Sequence, residues 1–379
     1  MPLLTETLLT MKIKWLFVLF ITAFLIPCHS CFGQLSAGES MAISDFGKTL
    51  DDDLREDNLH SSISTVIIKN GKVVRAAAFG YAGMNRDIAA DTSTIYRIGS
   101  ITKTFTVVIL LQLVEEGKIK LDDAIESFVP EIRSLRGYSD KTKITLRQLA
   151  SHTSGLKREP EMPGSSIGPV EQWENKVLSC IPYTSFNSRP GEDFLYSNIG
   201  FALLGLALER ASGTPYIQMV QQRIFTPLHM DDSFFIPPEE KKSRLAEGIE
   251  NSNKGTINTS LPLKEIEGRG YRVPNGGIYS TPLDLAKFVI SMTGKSALLK
   301  AESLAQMQHV PPGGRNYGLG LAIMHGGGLD IIGHDGSVPG YTAEFAIEQR
   351  KGYAVILMRN YNVGKTNLEG AARKLLKSL

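Results

Sequence analysis

The sequence predicts an α/β protein of the α+β kind: one antiparallel sheet built from both chain ends, flanked by helices, with a mostly helical lobe inserted between. Three observations carry this. A hairpin pattern lies near each end, and a helix-period segment closes the chain. The stretch between the hairpins holds helical patterns and few strand patterns.

Taken in order, Thr65-Val-Ile-Ile-Lys69 and Lys72-Val-Val-Arg-Ala76 flank Asn70-Gly71, the dipeptide that suits a type I′ turn and hence a β-hairpin. Residues 101–114 are apolar nearly all round, which describes a helix buried between layers and not one laid on a surface. Residues 199–211 read as a second helix, and residues 282–292 as a third with Pro282 at its start. Residues 157–170 and 237–267 are polar and contain Gly, Pro and Ser, so they read as surface excursions. Residues 341–347 and 353–358 flank a polar turn at 350–352, the second hairpin. In the last segment Leu368, Ala371, Ala372, Leu375 and Leu379 share one helical face. The inserted helical lobe is expected over roughly residues 105–275.

The chain has 379 residues, 42% hydrophobic and 21% charged, with 41 Lys+Arg against 39 Asp+Glu. That apolar share excludes a disordered chain. A net charge of +2 supplies no field to attract nucleic acid, so no nucleic-acid partner is expected. The length allows two lobes, or one large domain with insertions, and a core that needs no disulfide staples.

Lys12 and Lys14 precede about a dozen apolar residues, followed by small residues around Ser30 to Gly33, the layout of a secretory leader. A buried N-terminal helix is the alternative. The apolar run is shorter than the ~20 residues of a membrane-spanning helix, so no transmembrane segment is expected in the mature chain. Residues 1–33 are thus expected to be a signal peptide ahead of a domain at 34–379, the protein being exported, periplasmic or extracellular. Of the three cysteines only Cys180 lies beyond the leader, which leaves no pair for an internal disulfide. Cys28 or Cys31 is also a candidate lipid attachment point, although Pro27 before Cys28, and Cys28-His-Ser before Cys31, fit such a signal poorly.

Ser100-Ile-Thr-Lys103 is the sharpest chemical feature. A serine hydroxyl is a weak nucleophile and needs a neighbour to take its proton. Positions i and i+3 share a helix face, so Ser100 and Lys103 can meet. At the N-terminal end of the buried helix, the dipole and free N–H groups favour developing negative charge. A lysine near apolar walls loses proton affinity and could act as base. The same tetrapeptide also fits a helix that Ser100 caps and from which Lys103 runs out to solvent.

The context narrows this. The chain reads Tyr96-Arg-Ile-Gly-Ser-Ile-Thr-Lys-Thr-Phe105, then Leu149-Ala-Ser-His-Thr-Ser-Gly-Leu156, then Tyr196-Ser-Asn198. Gly276-Gly-Ile-Tyr-Ser-Thr-Pro-Leu-Asp-Leu-Ala-Lys-Phe288 and Gly333-His-Asp-Gly-Ser-Val-Pro-Gly340 follow. These five motifs in this order resemble the penicillin-recognising serine hydrolases: class C β-lactamases, D-peptidases and related family VIII-type esterases. The resemblance covers residues 63–358 and implies a β-lactamase/transpeptidase-like fold. It implies Ser100 as acylated nucleophile, Lys103 as its proton partner, and Tyr196 as general base or relay with its pKa lowered by Lys103. Whether Lys103 or Tyr196 is the acylation base stays open. Asn198 would orient Lys103 and the substrate amide, and the N–H groups of Ser100 and Ser337 would form the oxyanion hole. His334 and Gly336 would complete the substrate-binding strand, with Gly336 letting it lie flat against the acylated substrate.

One motif departs from the β-lactamase form, His334-Asp335-Gly336 standing where those enzymes have Lys-Thr-Gly. A largely neutral histidine and an added carboxylate would repel a substrate carboxylate there, unless Asp335 turns away or pairs with His334. Weak β-lactam hydrolysis and a preference for small esters, or for peptides lacking that carboxylate, are expected.

Other sites fit poorly. Gly164-Ser-Ser-Ile-Gly168 matches a nucleophile elbow but lacks the strand before it and the helix after it. No third glycine follows Gly318-Leu-Gly320 to make a dinucleotide loop, and the seven histidines are scattered. His152 reads as a structural hydrogen-bonding residue. The reading is an exported serine hydrolase acting through an acyl-enzyme on an amide or ester, with no metal or organic cofactor. Its substrate would be a small molecule or peptide, cell-wall-derived or a β-lactam; oligomeric state is left open. The alternative is a penicillin-binding sensor on the same fold with little or no turnover.

Overall fold

The structure, a computed structural model, describes residues 35–83, 86–251, 256–294 and 298–379. The expected leader, with Cys28 and Cys31, lies outside the described residues. The strands in chain order are β1 (Ser62–Lys69), β2 (Lys72–Gly83), β3 (Arg86–Ala89), β4 (Tyr96–Arg97), β5 (Glu250–Asn251), β6 (Ile257–Asn258), β7 (Tyr279–Ser280), β8 (Ala322–Gly326), β9 (Leu329–Val338), β10 (Tyr341–Glu348) and β11 (Tyr353–Arg359). The helices are α1 (Ala37–Asp57), α2 (Thr102–Glu115), α3 (Leu146–Ala150), α4 (Trp173–Cys180), α5 (Asn198–Ser212), α6 (Tyr216–Val220), α7 (Ser260–Lys264), α8 (Val273–Gly276), α9 (Pro282–Ser291), α10 (Ala301–Met307) and α11 (Leu368–Ser378).

Seven strands form one antiparallel sheet in the order β3-β2-β1-β11-β10-β9-β8. The two chain ends meet at its centre, where Ile63 to Lys69 pair with Arg359 to Tyr353. Asn70 and Gly71 both have positive φ, 50° and 76°, as a type I′ turn demands. Alternation along the strands sorts two cores. Ala354, Ile356 and Met358 face the helical insert, whereas Tyr353, Val355 and Leu357 face α1 and α11. α1 starts in a capping box between Ser36 and Glu39.

The helix expected at 101–114 is α2, and it is buried on nearly every side. Its hydroxyls are satisfied by neighbouring backbone: Thr104 donates to the Gly320 carbonyl at 2.8 Å and Thr106 to that of Pro274 at 2.5 Å. The 237–267 stretch is not simply a surface excursion. Leu245, Ala246 and Ile249 are buried, and Ala246 and Ile249 donate backbone bonds to Ile95 and Asn360. The chain there stitches the end of the sheet, so its apolar residues are needed inside despite the polar composition around them. Among the described residues, no helix is long and apolar enough to cross a membrane.

Candidate active site

Ser100 sits in a 3₁₀ turn, Gly99–Ile101, that leads directly into α2. No side-chain cap bond closes this end, so Ser100 does not act as a helix cap. Gly99 has φ +53°, and a Cβ there would lie 2.9 Å from the Ser337 nitrogen. A Cβ on Gly336 would lie 1.9 Å from the Ile98 carbonyl oxygen. The two glycines therefore let β9 run backbone to backbone against the serine turn. Gly336 was expected to face the acylated substrate; its bare side packs instead on the protein's own turn and sets the distance between Ser100 and Ser337.

Lys103 does not run out to solvent but is fully buried. Its Nζ lies 2.9 Å from Ser100 Oγ, in hydrogen bond, and donates to the Asn275 carbonyl at 2.9 Å. Burial pushes the ammonium well below its usual range; Arg158 pushes the same way, Asp335 and Glu159 oppose, and Arg269 adds a smaller downward push. The neutral amine so favoured has a lone pair to offer the Ser100 hydroxyl.

Tyr196 stands beside Ser100, whose hydroxyl favours the ionised form of the phenol. Lys103 Nζ and the Arg158 guanidinium carbon each lie 4.8 Å from its ring centroid. The expected lowering of its pKa does not occur. Burial dominates and raises it, and the Ser100 hydroxyl and Arg158 only partly offset this. The resting group is a phenol.

Beneath Tyr196 lies His152, held at φ 59° in the left-handed region and wholly buried. Its Nδ1 accepts the backbone N–H of Ser197 at 3.0 Å, and its ring centroid is 4.1 Å from that of Tyr196. Burial above all, with a smaller push from Arg158, lowers its proton affinity and keeps it neutral. It is the structural residue that was expected. Ser197 caps α5 by accepting from Gly200 N–H at 3.0 Å, which fixes the residues on either side of it.

Asn198 was expected to orient Lys103; it makes no hydrogen bond to it. Its Nδ2 donates to Glu159 Oε1 at 2.6 Å, and the lysine's second bond goes to Asn275. Asn275 joins the two, since its Nδ2 donates to the Asn198 carbonyl at 2.7 Å. Glu159 also accepts from Tyr271 and pairs with Arg272 at 3.0 Å. The segment before Asn275 is pinned by a buried cluster in which Glu265 bridges Arg97 at 2.7 Å and Arg269 at 2.9 Å, and Arg269 donates to the Gly276 carbonyl at 2.8 Å. Glu159 and Asn275 are site residues that the sequence motifs did not reveal.

His334 is buried with both ring nitrogens engaged. Nδ1 donates to the Asp335 carbonyl at 2.6 Å, so Nε2 is the acceptor for the Tyr317 hydroxyl at 2.8 Å. No nitrogen is left for a substrate, which corrects its expected binding role. Its carboxylate neighbour does not pair closely with it, the Asp335 oxygen lying 3.9 Å from Nδ1. Strand alternation turns Asp335 and Ser337 outward while His334 and Gly336 face in. β8 stops pairing at Ala322 opposite Gly333, so residues 334–338 form an open strand edge beside the serine turn. Among the described residues, no group of three or more His, Cys, Asp or Glu is placed to hold a metal.

Residues 50–378 match the Beta-lactamase family model. The chain is 26% identical over 305 residues to Protein flp of Staphylococcus aureus (strain NCTC 8325 / PS 47), covering 79% of this chain and 59% of that protein. It therefore spans about three-fifths of the length of the first curated relatives it matches. It is 27% identical over 290 residues to the D-alanyl-D-alanine-carboxypeptidase/endopeptidase AmpH of Escherichia coli (strain K12), covering 75% of this chain and 71% of that one. The octameric penicillin-binding protein homologue from Pyrococcus abyssi superposes with a TM-score of 0.74 at 27% identity, over 88% of this chain and 76% of the other.

Proposed function

The chain belongs to the Beta-lactamase family, and on that premise we propose that it is a serine hydrolase that forms an acyl-enzyme on Ser100 from an ester or amide and returns it to water. The proposal includes export behind a leader at residues 1–33, ahead of one hydrolase domain at 34–379. The observation that carries the chemistry is the 2.9 Å contact between Ser100 Oγ and the fully buried Lys103 amine.

The geometry supports the following steps. Neutral Lys103 takes the hydroxyl proton as Ser100 Oγ attacks the substrate carbonyl. The backbone N–H groups of Ser100 and Ser337 meet the resulting oxyanion, a contribution of about 3 kcal/mol per donor. Tyr196, a phenol at rest, gives its proton to the leaving group and recovers one from the Lys103 ammonium. Water then attacks the acyl-enzyme by the same route in reverse. Asn198, held by Glu159, faces the substrate amide.

β-Lactams carrying a carboxylate are expected to be poor substrates, because His334 is neutral and occupied and Asp335 adds an exposed negative charge. Small esters, and peptides that lack a carboxylate at that position, fit better. A nitrocefin kcat/KM near the ~10⁷ M⁻¹s⁻¹ of efficient enzymes would overturn that preference.

The direct test combines fluorophosphonate labelling with p-nitrophenyl ester turnover, in the wild type and in Ser100→Ala. Both signals are expected in the wild type and both should be lost in the variant, turnover by at least about 10³-fold. A stable label on Ser100 without turnover would make the protein an acylated sensor instead.

A further inference from the structure

Outside the catalytic group, the face of the sheet turned towards α11 carries an unbalanced carboxyl. Glu344 on β10 stands directly opposite Asp335 on β9, so their side chains project on the same face, about 5 Å apart at Cβ. Glu344 is only 6% exposed, and among the described residues its carboxyl has no hydrogen-bond or ion-pair partner. Asp335, by contrast, has a side chain 77% exposed. Glu369, in the first turn of α11, adds a third acid at the rim.

The cations of this face are engaged elsewhere. Arg359 on β11 donates to Thr342, Thr366 and Asn362, and Arg373 on α11 stands 3.7 Å from Glu369. Burying a carboxyl without a partner costs stability. An incoming cation would remove that cost. Asp335 also bears on the chemistry: it lies at the open edge of β9, and its charge acts on Lys103 and Tyr196.

We propose that Asp335 and Glu344, with Glu369 at the rim, form a cation subsite that receives the ammonium or guanidinium of a positively charged ester or amide substrate. This rests on the serine-hydrolase reading and names its substrate class. Burial and the charge of Asp335 push the Glu344 carboxyl well above the usual carboxylate range, so the arriving cation displaces a proton to solvent.

Two pairs of isosteric esters test it, differing only in charge. One pair is butyrylcholine and 3,3-dimethylbutyl butyrate; the other is the p-nitrophenyl esters of 6-aminohexanoate and heptanoate. In at least one pair, kcat/KM is expected to favour the cation by about tenfold or more, through KM. Asp335→Asn and Glu344→Gln should each cut that preference to within about threefold, with thermal melts verifying the fold. Equal, Ser100-dependent turnover of both members of both pairs overturns the subsite and leaves the hydrolase standing. So does a preference that survives both substitutions in folded variants. No Ser100-dependent turnover of any of the four esters overturns the hydrolase reading, and the subsite with it.

Discussion

His152 Nδ1 accepts the backbone N–H of Ser197 at 3.0 Å while the same imidazole packs 4.1 Å from the Tyr196 ring. One buried side chain thus fixes both the phenol and the cap of α5. His152→Ala would leave a buried N–H unpaired, open a cavity under Tyr196 and place alanine at φ 59°. The expected cost is about 2–4 kcal/mol in urea unfolding. Turnover should fall while Ser100 labelling slows, because Tyr196 loses its support. Unchanged stability would show that the bond contributes nothing.

Gly336→Ala tests the backbone contact that brings β9 to Ser100. The added methyl would lie 1.9 Å from the Ile98 oxygen and 3.3 Å from the Ser100 nitrogen, and backbone can yield only by moving the strand. A destabilisation of about 3 kcal/mol is expected. Ester kcat/KM should drop about 100-fold or more, since the proposed oxyanion donors, the Ser100 and Ser337 N–H groups, would separate. A variant that melts and turns over like the wild type would refute the contact's role.

Much of the fold was legible because it rests on local signals. Asn70-Gly71 specified its own turn, and the all-round apolar run after Ser100 could only be an interior helix. The capping box between Ser36 and Glu39 is a local signal of the same kind and starts α1. The site was legible as a set of motifs, but not in its wiring. Asn275 holds Lys103 through a carbonyl, a group every residue has, so its side-chain identity carried no mark of that bond. The pairing of Arg97 with Glu265 spans 168 positions and appears only when the chain folds. Tyr196 looked set for ionisation because the motifs bring Lys103 to it and do not show its burial, and burial decides the direction.

Replacing Lys103 by Met separates catalysis from stability. Activity should be lost, by about 10³-fold or more. The folded chain holds Lys103 well below its ordinary value of 10.5, so between those limits the unfolded chain binds a proton that the folded chain has released. Lowering the pH through that window therefore favours unfolding, and raising it favours the wild-type fold. Lys103→Met has no such group. Urea unfolding of both proteins at pH 7, 8, 9 and 10 should show the difference moving in favour of the wild type as pH rises. A difference independent of pH would mean that Lys103 stays protonated in the fold.

The charges flanking the amine provide a sharper test, because they act in opposite directions. Asp335 favours the Lys103 ammonium and Arg158 disfavours it. If neutral Lys103 is the acylation base, the acid limb of the kcat/KM–pH profile reports its protonation in the free enzyme. Asp335→Asn should move that limb to lower pH, and Arg158→Gln should move it to higher pH. Both groups are exposed, so salt should weaken the effect; in 1 M NaCl, with a Debye length of about 3 Å, the two profiles should draw together. Shifts of the same sign in both variants would rule out Lys103 as the titrating base. Opposite shifts that ignore salt would mean that the substitutions act by rearranging the site, not through their charge.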